Sequence, residues 1–193
     1  QKSWKRRFSS EICVQVKNQV TKVHPTGQMH RVLLMLGSNA WDAPQALAEA
    51  QEVLNERAQI IRAGSIWQTP AWGFEGPDFL NQVLEAHWEE PLEALMAWAL
   101  EVEKRLGRVR NPSATTYENR RMDIDLILWS GGEYRVDSVV VPHPRMEIRR
   151  FVLHPLAEHW GEWQHPIQKC TVSELLTRCS DENLIHLHQT TEN

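Results

Sequence analysis

The sequence has no apolar run long enough to cross a membrane. Its longest uninterrupted apolar stretches are Val32–Leu36 and Ala94–Leu100, far short of the ~20 residues a spanning helix needs, which excludes a helical membrane protein. Cysteine is scarce: Cys13, Cys170 and Cys179 are odd in number, far apart and without a Cys-x-x-Cys pair. That excludes a disulfide framework and a structural zinc site and points to a reducing, cytoplasmic compartment. The basic residues of the first thirty positions are followed by no apolar segment, so no secretory signal is expected. Also absent are a Gly-x-x-x-x-Gly-Lys loop, a Gly-x-Gly-x-x-Gly turn, a protein-kinase signature and a His-Glu-x-x-His helix, the local sequences by which several common nucleotide and metal sites announce themselves. A surplus of positive charge is missing as well. There are 21 Lys and Arg against 25 Asp and Glu, and the basic share is concentrated in residues 1–30, which carry +5 and leave −9 on the rest. A broad nucleic-acid surface is therefore not expected, and any polyanion must be met by a few placed arginines or by metal ions.

What is present reads as one globular domain of a 193-residue chain. Residues 1–30 show no sustained periodicity and are expected to be a disordered basic extension or a stretch that is not native, with Met29 as the translation start. From Arg31 the pattern changes. Val32–Leu36 running into Gly37-Ser38-Asn39 reads as a buried strand ending in a turn. Asp42 is placed to cap a helix over Ala43–Leu54, with Leu47, Ala50 and Leu54 at helical spacing. Ile60–Trp67 reads as a strand, Thr69–Asp78 as a Pro/Gly loop, and Phe79–Trp88 as a strand. Pro91 opens a second helix whose apolar stripe, Leu92, Leu95, Ala99, Val102 and Leu106, ends at Gly107. Arg108–Arg121 is polar and expected to be a flexible loop. Met122–Trp129 is the strongest strand, Val139–Val141 a short one, and Trp160 and Trp163 are expected to cover the end of the core. The polar tail 181–193 is expected to be disordered. The order strand, helix, strand, strand, helix, strand predicts an α+β, ferredoxin-like βαββαβ sandwich with an antiparallel sheet and a C-terminal extension.

Within Met122–Leu128 the strand period puts Met122, Ile124, Leu126 and Leu128 on one side and Asp123 with Asp125 on the other. Two neighbouring carboxylates repel unless a cation lies between them, and an all-oxygen pair suits magnesium; spacing alone leaves open that both are simply solvated. Arginines gather around this strand at Arg108, Arg110, Arg120, Arg121, Arg145, Arg149 and Arg150, and guanidinium groups bind phosphate oxygens in pairs. The loop Thr69–Asn81 holds Trp72, Phe74 and Phe79, rings able to stack on a flat heterocycle, and Asn81, which offers a donor and an acceptor to its edge. An RNA-binding module of this architecture needs a basic sheet face with exposed aromatics, whereas the best strand here carries carboxylates.

Five motifs occur in order: Leu36-Gly37-Ser38-Asn39; Thr69-Pro70 with Gly73 and Pro77-Asp78-Phe79-Leu80-Asn81; Leu106-Gly107-Arg108-Val109-Arg110; Arg120 to Leu128; and Val141-Pro142-His143-Pro144-Arg145-Met146 with Arg149 and Phe151-Val152-Leu153. Together they resemble the 6-hydroxymethyl-7,8-dihydropterin pyrophosphokinases from about Arg31 to about Cys179. The resemblance implies a single pyrophosphokinase domain over 31–180 and transfer of pyrophosphate from ATP to the hydroxymethyl group of the reduced pterin, a step of folate biosynthesis that releases AMP. It implies two magnesium ions on Asp123 and Asp125. Catalytic roles fall to Arg108, Arg120, Asp123 and Asp125, and ATP contacts to Glu103, Arg108, Arg110, Arg120, His143 and Arg149. The pterin is expected between Phe79 and Phe151, with Thr69, Pro70, Ala71, Trp72 and Asn81 at its edge. The partners expected are these two small molecules, with no nucleic acid and no membrane, and the chain is expected to act as a monomer. Where many relatives carry Trp-Gly-Pro-Arg before the aspartates, this chain has Tyr117-Glu118-Asn119-Arg120. Thr116 and Ser138 replace arginines found in some members.

Overall fold

The apolar run Val32–Leu36 forms the middle of β1 (His30–Ser38), a strand buried along nearly its whole length. The structure is a computed structural model and describes residues 28–107, 120–136 and 139–189. Residues 1–27, Arg108, Arg110 and 111–119, with Thr116 and Tyr117–Asn119, and Ser138 lie outside the described residues. β1 begins at His30, one residue inside the stretch assigned to the basic extension.

The chain continues through α1 (Ala43–Leu54), β2 (Gln59–Ala63), β3 (Trp67–Thr69), β4 (Phe79–Trp88), α2 (Leu92–Arg105), β5 (Asp123–Trp129), β6 (Tyr134–Val136), β7 (Val139–Val141), α3 (Arg150–Trp160), α4 (Val172–Arg178) and β8 (His186–Leu187). The main sheet has the order β5-β1-β4-β3-β8, with β2 pairing along the same edge of β4 as β3. Every pairing is antiparallel. Last strand, first strand, third strand, second strand is the ferredoxin-like arrangement. A separate hairpin, β6 with β7, accounts for the short strand at Val139.

The sheet is covered on both faces, which is why β1 reads as an unbroken apolar run rather than an alternation. Val32, Leu34 and Leu36 pack with Leu84, Ile124 and Leu126 under α1 and α2, through Leu47, Leu54, Leu92, Leu95 and Val102. Leu33, Met35 and Val83 pack under α3 and α4, with Val152, Leu153, Leu156, Trp160 and Leu175. Trp160 lies in this second core and Trp163 packs against it. The second helical layer makes the fold three layers rather than a two-layer sandwich. α2 stops as its sequence requires: Gly107 follows at φ +87, a left-handed conformation that glycine adopts without strain.

Four local expectations are corrected. Leu128 does not share a face with Ile124 and Leu126. Leu33 pairs with Leu128 and Leu34 with Leu126, so Ile127 is an extra residue, a bulge, and Leu128 turns into the α3 core. The strand expected over Ile60–Trp67 is broken into β2 and β3. The Ser65 amide and hydroxyl both donate to Glu158 on α3, the amide over 2.9 Å, and Gly64 lies so close that an added Cβ would meet that carboxylate at 3.2 Å. Asp42 precedes α1, but only its carbonyl serves the helix, accepting from the Ala46 amide; its carboxylate accepts from Arg121 at 2.9 Å. The tail is ordered through the described part, where β8 pairs with β3.

One buried carboxylate ties the layers. Glu85 on β4 accepts from the Trp160 indole at 2.8 Å and from Arg31. Trp160→Phe keeps most of the packing and removes the buried donor, so it is expected to lower unfolding free energy by about 1–3 kcal/mol. A urea midpoint unchanged from wild type would show that the indole bond contributes nothing.

Candidate active site

Strand register builds the site's floor. Asp123 faces Gly37 and Gly37 faces Asn81, so these three residues form one row across β5, β1 and β4. Asp125, Met35 and Val83 form the next row on the same face. Gly37 leaves the room this row needs: a Cβ there would stand 2.9 Å from the Asn81 side-chain oxygen, closer than real Cβ contacts allow. Asn81 is held in place, its amide donating to the Thr69 hydroxyl at 2.8 Å, with both residues buried. A carboxylate pair thus lies at one end of the floor and a fixed side-chain amide at the other.

Aromatic walls rise around that floor. The cavity is lined by Met35, Gly37, Thr69, Pro70, Trp72, Phe74, Phe79, Asn81, Asp123, Asp125, Arg149 and Phe151. The structure therefore brings together Thr69, Pro70, Trp72, Phe79, Asn81, Phe151, both aspartates and Arg149. Ala71 is not among the lining residues. Trp72 and Phe151 stand with ring centres 6.2 Å apart, and the Arg149 guanidinium lies 4.9 Å from the first and 5.6 Å from the second. Phe74 meets Phe79 edge to face. Phe151 enters at the start of α3 and Phe79 at the start of β4, so the two rings expected to sandwich a heterocycle line the same cavity from different elements.

The charged residues sort into those that reach the cavity and those that do not. Arg120 bonds Asp123 at 2.5 Å. Its backbone is fixed by Asn39, whose side-chain oxygen accepts from the Arg120 amide at 2.8 Å while the Asn39 amide donates to the Arg120 carbonyl at 3.2 Å. Arg121, grouped with the phosphate-binding arginines by its sequence, instead binds Asp42, Glu49 and the Leu106 carbonyl. Glu103 does not line the cavity: it is buried on α2 and accepts from the Ile124 amide at 2.9 Å, between the two aspartates in sequence. His143 lies in a second cavity with Tyr134, Arg145 and His165. Burial chiefly, then Arg149 and Arg145, push its pKa down to about 4, with Asp123 opposing. Its ring is therefore neutral near pH 7.

The donor set suits a hard divalent cation. Among the described residues no group of three or more His, Cys, Asp and Glu comes together. Two carboxylates on one face offer oxygen ligands only and leave most coordination positions to phosphate oxygens and water, as magnesium prefers. Met35, Gly37 and Asn39 are the site residues that sequence reasoning gave no role. The Gly37-Ser38-Asn39 turn was visible, but which side chains flank it depends on register.

The sequence model of 7,8-dihydro-6-hydroxymethylpterin-pyrophosphokinase (HPPK) matches residues 33–160. A 2-amino-4-hydroxy-6-hydroxymethyldihydropteridine pyrophosphokinase of Aquifex aeolicus is 34% identical over 147 residues, covering 76% of this chain and 90% of the relative. One of Porphyromonas gingivalis is 33% identical over 138 residues, covering 70% and 93%. Among solved structures, a Plasmodium falciparum HPPK-DHPS crystal structure superposes with TM-score 0.60 at 11% identity over 79% of this chain, which supports the fold alone. This chain spans 46% of that longer one. The chain belongs to the 7,8-dihydro-6-hydroxymethylpterin-pyrophosphokinase family.

Proposed function

We propose that the rows across β5, β1 and β4 are the surface on which this pyrophosphokinase joins its two substrates. The enzyme transfers pyrophosphate from ATP to the hydroxymethyl group of 6-hydroxymethyl-7,8-dihydropterin in folate biosynthesis. The observation that carries the assignment of roles is the row Asp123–Gly37–Asn81, with charge for phosphates at one end and a hydrogen-bonding amide at the other.

The pterin lies between Phe79 and Phe151, with its edge against Asn81, Thr69 and the Pro70–Trp72 turn. Its hydroxymethyl group then points along the floor toward Asp123 and Asp125. These two carboxylates would hold two magnesium ions, whose chemistry is to neutralise charge on the phosphate oxygens. Arg120 holds Asp123 and serves the same phosphates, a role proposed also for Arg108 and Arg110, which lie outside the described residues. Glu103 acts through the Ile124 amide, fixing the stretch of β5 that carries both aspartates. Arg149 and neutral His143 take the nucleotide side. The hydroxymethyl oxygen attacks the β-phosphorus, forming one P–O bond and giving up its proton to solvent, while the bond from the β-phosphorus to the α,β-bridging oxygen breaks and AMP leaves with that oxygen. In such a transfer, positioning and charge neutralisation supply most of the rate, and no side chain is assigned as general base.

AMP release is expected from wild type only when ATP, magnesium and the pterin are all present. Asp123→Ala and Asp125→Ala are each expected to lower kcat by at least ~100-fold. Retention of near wild-type turnover in either variant would remove that carboxylate from the reaction.

Neutral His143 also sets a pH dependence. Its folded pKa, about 4, lies below the ordinary 6.5, so below pH 6.5 the unfolded chain takes up a proton that the folded chain refuses. Its contribution to stability is level above about pH 7 and falls as pH drops toward 4, by at most ~3 kcal/mol. His143→Gln is expected to lose this part of the acid dependence. Parallel urea midpoints for both proteins at pH 7.5, 5.5 and 4.5 measure it, and identical slopes would contradict a buried neutral ring.

A further inference from the structure

The segment after Ser180 touches two walls of the aromatic cavity at once. At one end, a carboxylate oxygen of Asp181 accepts from the Arg150 amide at 3.0 Å, while its other oxygen accepts from the backbone and side chain of Asn183 at 3.1 and 2.7 Å. At the other end, β8 pairs with β3, Leu187 opposite Trp67 and His186 opposite Gln68, and the His188 amide donates to the Ile66 carbonyl at 2.8 Å. β3 ends in Thr69 and α3 begins with Arg150 and Phe151. The segment therefore bridges the elements that supply Thr69 and Phe151.

The start of α3 needs this contact. Its own N-cap residue, Arg149, makes no side-chain cap bond, and the first turn contains no acidic residue. Arg149 and Arg150 instead put two positive charges at the helix end whose dipole is already positive. Asp181 supplies both things the helix lacks: an acceptor for a free amide and a negative charge. β3 has the matching need, being three residues long. The tail adds little to either core. His186 and Leu187 are exposed, and the buried hydrophobic residues end at Leu175. Its contacts act on the geometry of the cavity walls rather than on the mass of the core.

We infer that residues 181–189 form a strap that sets the spacing of the pterin walls, with Asp181 as a positioning residue that acts through the α3 N-terminus on Phe151. This rests on the placement of the pterin between Phe79 and Phe151. Asp181→Ala removes the cap and frees the wall, so the bound pterin must reorder it.

The test follows AMP release against pterin concentration, at saturating ATP and magnesium, for six proteins: wild type, Asp181→Ala, Asp181→Asn, a chain ending at Ser180, Phe79→Ala and Phe151→Ala. Melting temperatures are recorded alongside. Asp181→Ala and the shortened chain are expected to raise the pterin KM ~5–10-fold with kcat within about twofold. Asp181→Asn, which keeps an oxygen acceptor, is expected to return KM to within about twofold of wild type. Phe79→Ala and Phe151→Ala are expected to raise KM at least as far. If both phenylalanine variants leave KM unchanged, the placement of the pterin is overturned. If they raise it while Asp181→Ala and the shortened chain do not, the strap alone is overturned. A drop in melting temperature and in kcat at unchanged KM overturns the strap as well, because it marks Asp181 as merely structural.

Discussion

No side chain fits at Gly37. Asn81 is pinned by Thr69 and cannot retreat from a Cβ that would stand 2.9 Å away, so β1 must cross the site as bare backbone. Asp123 and Asn81 can then share one row on either side of it. A glycine inside a strand costs roughly 0.5–1 kcal/mol in lost backbone freedom. β1 can bear this because it is buried on both faces and paired on both edges. The two helical layers thus serve more than stability. They hold a strand with a gap in its side-chain pattern, and the gap forms part of the floor of the candidate site.

An acidic body binding a polyphosphate looks self-defeating until distances are considered. Exposed charges more than about 8 Å apart are largely screened at physiological salt, whereas contacts at the site are not. The protein therefore places arginine locally. Arg120 sits on Asp123, and Arg149 lies over Trp72 and Phe151, where a flat guanidinium stacks and still offers its edge to anions. Arg121 has the same chemistry with a different use: it crosslinks Asp42 and Glu49 at the foot of α1, and both contacts raise its pKa and hold its charge. Charge and spacing alone could not separate Arg120 from Arg121; the family resemblance gave a role only to Arg120. The distinction arises in their partners: Arg120 bonds Asp123, which lines the cavity, whereas Arg121 bonds Asp42 and Glu49 at α1.

That example marks the limit of what was legible. Patterns that live on one segment were readable: the two-sided burial of β1, the apolar stripe of α2 and its Gly107 stop, the paired aspartates, and the aromatic loop. Properties of two segments were not. Leu128 changes face because β1 skips Ile127 when it pairs. The break at Ser65 is made by Glu158, 93 residues away. α3 was hidden by Pro155 in its interior, a residue that argues against a helix in any local reading. Glu103 showed its acidity in the sequence, but only the fold reveals that it serves the Ile124 amide from behind the sheet.

The last of these contacts explains how the fold keeps the strand that carries both aspartates at an edge. Among the described residues β5 ends the main sheet, and an edge strand exposes backbone groups that would otherwise recruit another strand. Here the Ile124 amide goes to Glu103 and the Ile127 carbonyl accepts from the His143 amide at 2.9 Å. The next hairpin, β6 with β7, closes on itself instead of extending the sheet. Among the described residues, a side chain and a loop amide thus pair these two edge groups and no further strand covers them. A strand laid against β5 would crowd the flank where Asp123 and Asp125 project, and the phosphates proposed to lie there would compete with it for space. Holding β5 at the edge, tied at the Ile124 amide and the Ile127 carbonyl, keeps that flank available to them.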